Sequence, residues 1–290
     1  MRIKPLFAVC AAMVVLGACA KPTTVNPTYS ADEFRREQAA QAATAERLKN
    51  GTPATAPDGN ALYNAAFDSS KKYTETEIDA LAVRLDPLAT RIEQAASQLC
   101  REMRGPKANC AYQVLLDAKE VGLNAHADGK NVVINPAMVD FAKNDTHLAF
   151  VIAHEFAHNI MAHIAAQQKN VAIGGILGSL GDALVQSQGL NTQGALGKIG
   201  AQQAMLKYSP AFETEADYVG LYILARAGYP FEQAPDFWRI MSMEEPRSIY
   251  VTSTHPNNPS RTLAMEKTIA EIRAKQATGQ PLLPNIRPNT

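Results

Sequence analysis

The pentapeptide His154-Glu155-Phe156-Ala157-His158 places two imidazoles and a carboxylate inside an apolar run, and no other feature constrains the fold as strongly. On a helix, His154 and His158 fall one turn apart on the same face, so both rings can reach one metal ion. Glu155, the next residue round, is placed to hold a water beside that ion and take its proton. The helix itself is predicted from the flanks. Asp145 is a good N-cap, and no Pro or Gly interrupts the chain from there to Lys169. Leu148, Val151, Ile152, Phe156 and Ile160 recur at helical spacing and predict a buried flank. Two histidines in a helix this apolar are poorly explained as solvent-facing residues.

A metal held by two imidazoles needs a further protein ligand. A third His six residues after His158 would give the metzincin spacing, but position 164 is Ile and position 161 is Met. His163 falls one residue short of that register and reads as having a local role. The other source is a carboxylate on a later helix, and residues 211–220 offer one. Glu213 and Asp217 are four apart and share a face, with Ala216 and Gly220 small enough to let that helix approach another. Glu213 can supply a hard oxygen ligand, and Asp217 can accept the free N–H of a ligating His. Glu215 points off this face and reads as surface charge. Taken alone, the three acids read better as an ordinary solvated acidic face; the His pair reverses that preference in favour of the ligand reading.

His154-Glu155-x-x-His158 followed by Glu213-x-Glu215-Ala216-Asp217 resembles the HtpX/CAAX-prenyl-endopeptidase family of gluzincin metallopeptidases, most closely its bacterial periplasmic, BepA-like lipoprotein branch. The likeness covers about residues 112–261. It implies an α+β, mainly helical, zincin-like domain with a small sheet beside the active-site helix. It implies one Zn²⁺ per chain as cofactor, with Glu213 as third ligand, and a sheet edge onto which an extended substrate adds as a strand. The family carries a His-Pro followed by Arg near the end of the domain, matched here by His255-Pro256 and Arg261. On that basis His255 is a candidate to hold the oxyanion or to close over the metal at rest, with a plain turn His before Pro256 as the alternative. Arg261 is a candidate loop anchor or carboxylate contact. The Ser-Arg that often precedes the ligand Glu is replaced here by Ser209-Pro210. The implied activity is endopeptidase cleavage of polypeptides, in quality control of misfolded or unassembled envelope proteins, with outer-membrane assembly proteins as candidate partners. A periplasmic chaperone or assembly factor with little proteolysis is the alternative, and the intact base Glu155 argues against it.

Met1-Arg2-Ile3-Lys4, an apolar run to Ala18 and small residues before Cys19 are the parts of an export signal, and the run is too short to span a bilayer. Leu16-Gly17-Ala18-Cys19 resembles a bacterial lipobox. It predicts a signal over residues 1–18, a lipid anchor at Cys19 and an outer-membrane lipoprotein facing the periplasm; a plain secretory signal that contains a Cys is the alternative. Of the 4 cysteines, Cys10 lies in the signal and Cys19 would carry lipid, which leaves Cys100 and Cys110 in an oxidising compartment. Gly105-Pro106 can turn the chain between them, so a Cys100–Cys110 disulfide is predicted, against two free buried thiols. Formal charge is balanced at +0 with no basic tract, so nucleic-acid binding has no electrostatic footprint.

Residues 19–61 read as a tether with a weak helix, 62–278 as the metallopeptidase domain and 279–290 as a Pro-rich tail. Thr74-Glu75-Thr76-Glu77 is a capping-box sequence leading into a helical stripe from Ile78 to Met103, broken at Asp86-Pro87. Residues 112–116 read as a strand, and residues 123–127 and 131–134 as a hairpin around Asp128-Gly129, in which His126 is a surface or packing residue. The Gly-rich residues 171–204 read as packed or mobile helices near the active-site mouth, able to act as a lid, rather than as a membrane span. A helical pattern resumes over residues 212–241 and 261–275.

Overall fold

A computed structural model of the chain describes residues 22–24, 27–49, 54–55, 61–63, 68, 71–120, 122–142, 144–187, 193–195, 198, 210–244 and 259–286. In order, its elements are α1 (Ala31–Lys49), β1 (Ala54–Thr55), β2 (Ala61–Tyr63), α2 (Glu75–Arg104), β3 (Gln113–Leu116), β4 (Ala125–Ala127) and β5 (Asn131–Ile134). There follow α3 (Pro136–Phe141), α4 (Asp145–Ile160), α5 (His163–Ser187), α6 (Pro210–Arg226), a 3-10 turn (Phe231–Gln233), α7 (Ala234–Glu244) and α8 (Pro259–Ala277). This is the expected mainly helical α+β architecture, with a three-stranded sheet beside the helix that carries His154 and His158. Cys19 and His255 lie outside the described residues.

The Thr74 hydroxyl accepts from the Glu77 amide and the Glu77 carboxylate accepts from the Thr74 amide, so the expected capping box starts α2. Leu85, Leu88, Ile92 and Leu99 are buried along one stripe of that helix. The break expected at Asp86-Pro87 does not occur, and α2 continues through Pro87 as one helix of 30 residues. Pro87 removes the donor that would have bonded the Val83 carbonyl, but Val83 is 73% exposed, so water can take its place. Cys100, near the end of α2, is disulfide-bonded to Cys110, which ties the helix to the chain entering β3.

The sheet has the order β3-β5-β4, with β3 parallel and β4 antiparallel to β5. The predicted hairpin is present. Gly129 takes φ +97° at its tip, and the Asp128 carboxylate accepts from the Lys130 and Asn131 amides. Asn159 of α4 fastens this hairpin to the helix. Its side chain accepts from the Gly129 amide at 2.8 Å and donates to the Asn131 carbonyl at 2.9 Å.

Helix α4 is buried from Thr146 to Ile160, packed among α2, α6 and the sheet. Its N-cap is Asn144, which accepts from the Thr146 amide at 2.7 Å, rather than Asp145. Leu148, Phe150, Ile152 and Phe156 are fully buried, at about 1.5–3 kcal/mol each, and offset the cost of enclosing His154, Glu155 and His158 beside them. The helix does not run on to Lys169. It stops at Ile160, Ala162 takes φ +56°, and α5 starts in a new direction at His163. Helix α6 crosses α4 closely at Gly220, where a Cβ would lie 3.2 Å from both Cα and N of His154. The helical pattern over residues 212–241 is likewise split, by Gly228 at φ +74° and by Pro230, into α6, the 3-10 turn and α7.

Helix α1 lies within the stretch read as a tether, yet it packs on α7 and α8. Gln41 donates to the Thr262 hydroxyl, Arg239 faces Glu37 at 3.5 Å, and Lys267 reaches Glu33 at 2.6 Å. Part of the C-terminal tail also packs down: the Asn285 amide donates to the Tyr218 hydroxyl at 2.9 Å, and Ile286 forms a β-bridge with Thr24. Among the described residues, no helix is long and apolar enough to cross a membrane. Ile176 and Leu180 on α5 are well exposed, so the first part of the Gly-rich stretch is a single helix with an apolar outer side.

Candidate metal centre

The helix α4 brings His154 and His158 together as their spacing requires, with Nε2 atoms 3.1 Å apart. Across the α4–α6 contact, Glu213 presents its carboxylate to both rings, at 3.5 Å from each Nε2. One donor atom from each residue lies within 4.8 Å of the others, and all three side chains are buried. Ligand distances near 2.0–2.2 Å around a tetrahedral zinc give donor–donor edges of about 3.3–3.6 Å, so the observed separations suit such an ion. Glu155 is 2% exposed on the same helix turn.

Asp217, one turn beyond Glu213, lies 3.0 Å from His154 Nδ1 and turns the opposite nitrogen toward Glu213. Arg261, read from the sequence as a loop anchor or substrate contact, is fully buried against two carboxylates of this chain. Its guanidinium grips Asp217 through Nε and Nη2, both at 2.7 Å, and reaches Glu213 through Nη1 at 2.9 Å. The Trp238 indole N–H donates to the same Asp217 at 2.9 Å, and its ring lies 3.9 Å under the Arg261 guanidinium. Burial alone would raise the Asp217 pKa, but the charge and hydrogen bonds of Arg261 outweigh it and hold the carboxylate below its usual range. Burial would likewise lower that of His154, yet the Asp217 and then Glu213 hydrogen bonds push it up to about 9. A metal bound here would displace any proton on the His154 nitrogen that faces Glu213.

Two further residues join the site without having been singled out. Glu215, read as surface charge, is 1% exposed. A position two residues from Glu213 does point to another side of α6, but that side is covered by His163 and by the N-terminal Thr23 and Thr24. His163 Nε2 lies 2.9 Å from Glu215 Oε2, and His163 Nδ1 lies 3.0 Å from His158 Nδ1. The turn at Ala162 makes this possible, because five residues along a straight helix would carry His163 well off the face of His158. Burial raises the Glu215 pKa, but hydrogen bonds from His163 and Thr24 outweigh this and lower it. His126 lies in β4, part-exposed and away from the donor cluster, with Glu120 at 4.0 Å.

Two imidazoles from α4, one facing the buried Asp217 and the other His163, and a carboxylate from α6 held by Arg261 form a group that could bind a metal, as in a metallopeptidase. The chain belongs to peptidase family M48, which its residues 87–269 match. Among its relatives, the beta-barrel assembly-enhancing protease of Yersinia pestis is 32% identical over 145 residues, covering 46% of this chain and 29% of that protein. Its counterpart in Escherichia coli (strain K12) is 30% identical over 186 residues, covering 61% and 38%. The mitochondrial metalloendopeptidase OMA1 of Schizosaccharomyces pombe is 27% identical over 154 residues, covering 52% and 44%. The chain thus spans less than half the length of these curated relatives.

Proposed function

We propose that this chain is a zinc-dependent endopeptidase of the bacterial cell envelope that cleaves misfolded or unassembled envelope proteins. The observation that carries the reading is the buried convergence of His154, His158 and Glu213 beside Glu155. His154, His158 and Glu213 hold the metal, and Asp217 fixes the ring of His154. Zinc, when bound, supplies a Lewis acid that polarises the scissile carbonyl and makes water a nucleophile near neutral pH. Glu155 takes the water's proton and returns one to the leaving amine. His255 donates to the developing oxyanion. Arg261 lies against both Glu213 and Asp217 and offsets the repulsion between their like charges. An extended polypeptide adds to an edge of the β3-β5-β4 sheet and is thereby laid along α4.

The envelope part of the reading rests on the lipobox-like sequence at Cys19, on the Cys100–Cys110 disulfide, and on bacterial relatives named for β-barrel assembly. A lipid anchor at Cys19 holds the protein on the outer membrane facing the periplasm, with outer-membrane assembly proteins as partners. The test of the chemistry is Glu155→Gln. We expect that variant to bind zinc one to one and to cleave casein about 10²–10⁴-fold more slowly, the usual cost of losing a positioned base. Wild-type cleavage by a metal-pure preparation of it sinks the assignment.

A further inference from the structure

The N-terminal segment ends in a buried hydrogen-bond chain that leads to a metal ligand. The Thr24 amide and hydroxyl donate to Glu215 Oε1 at 2.5 and 2.8 Å, and the Thr23 amide donates to the same oxygen at 2.6 Å. Thr24 is itself fully buried and held from the other side by its bridge to Ile286. Glu215 Oε2 then meets His163 Nε2, and His163 Nδ1 meets His158 Nδ1. We propose that residues 22–24 form a strap that positions the metal ligand His158 through Glu215 and His163. The proposal rests on the metal reading above.

The carboxylate end of this chain sets the direction of its first proton. A carboxylate that receives two backbone N–H groups and a hydroxyl on one oxygen is acceptor-only, so His163 must carry its hydrogen on Nε2. A His163 ring that donates only from Nε2 accepts at Nδ1, and His158 then carries its hydrogen on Nδ1. That leaves His158 Nε2 with an unshared pair, directed at His154 and Glu213. Asp217 does the same for His154 within one helix pair, whereas the support of His158 runs through Glu215 to a segment 191 residues before that glutamate in sequence. Stacking of His163 on Phe212, with ring centroids 4.6 Å apart, fixes its plane. Glu215, His163 and Thr24 are positioning residues: none of them needs to touch substrate or metal.

The test measures the metal site as well as turnover. The full-length protein and the variants Glu215→Gln, Thr24→Asp and Thr24→Ser are loaded with cobalt for visible spectra, and their zinc affinity is measured by chelator competition. Glu215→Gln keeps the shape but cannot accept from both His163 and the Thr donors. Thr24→Asp sets a like charge on Glu215 and expels the strap, while Thr24→Ser keeps the hydroxyl. We expect zinc affinity to fall about 10–100-fold in Glu215→Gln and Thr24→Asp, the usual cost of losing a ligand's supporting partner, with a shifted cobalt spectrum. Thr24→Ser should stay within about twofold of wild type, since its bond is kept. Wild-type affinity and spectrum in Thr24→Asp overturn the proposal, even where Glu215→Gln fails to fold. A wild-type protein that takes up neither metal overturns the metal reading and the strap together, an outcome distinct from the first.

Discussion

His147 lies two turns before His154 on α4 and is 6% exposed, with its ring tilted against Phe237. Burial pulls its pKa from 6.5 down to about 4, only partly offset by a hydrogen bond to the Gln233 backbone. The sign follows. As pH falls through 6.5 the unfolded chain takes up a proton that the folded chain refuses, so stability is full above about 6.5 and is lost as pH drops toward 4. The loss approaches about 3 kcal/mol at the lower end. Urea midpoints of wild type and His147→Asn between pH 7 and 4.5 should show a shallower fall in the variant; equal slopes would remove His147 from the account. At this scale the sequence carried the grouping of His154, His158 and Glu213, because His154/His158 and Glu213/Asp217 are each i,i+4 pairs whose faces follow from helix geometry alone. Glu215 and His163 were not legible. Their partners lie 191 and 52 residues away, and no local pattern marks a carboxylate that will be covered by a distant threonine.

Between elements, the tightest condition is the crossing of α4 and α6 at Gly220. A methyl there would press at 3.2 Å on backbone atoms of His154, which belong to a helix buried on all sides and cannot yield as a flexible side chain would. Gly220→Ala should therefore lower stability by about 1–3 kcal/mol, as overpacking does, and weaken zinc binding by spreading Glu213 from the His pair. A melting temperature and zinc affinity equal to wild type would show that the helices have slack. The elements legible in advance are those with local causes: the capping box at Thr74, the Asp128-Gly129 turn and the apolar stripe of α4. The misreadings came from tertiary context. Pro87 sits where its missing hydrogen bond faces water, so the helix survives it. Ala162 takes a left-handed turn that no glycine announced, since His163 gains buried partners on both nitrogens by breaking away.

At the level of the whole molecule, the stretches that composition marks as tether and tail contribute to the packed body: α1 lies on α7 and α8, and Thr24 is bridged to Ile286. Low hydrophobicity concealed this, because among its described side chains α1 docks through Glu33, Glu37 and Gln41. The proposed anchor makes a direct prediction. Cys19→Ser should move the protein from the membrane pellet to the soluble fraction, and wild-type recovery in the pellet would refute lipid attachment. Thr24 is pinned only five positions beyond Cys19, a span of at most about 18 Å even when fully extended. If lipid is attached at Cys19, a protease on so short a leash would patrol a shallow layer next to the bilayer. Its choice of substrate would then be set by depth as well as by chemistry, sparing proteins that never approach the membrane surface.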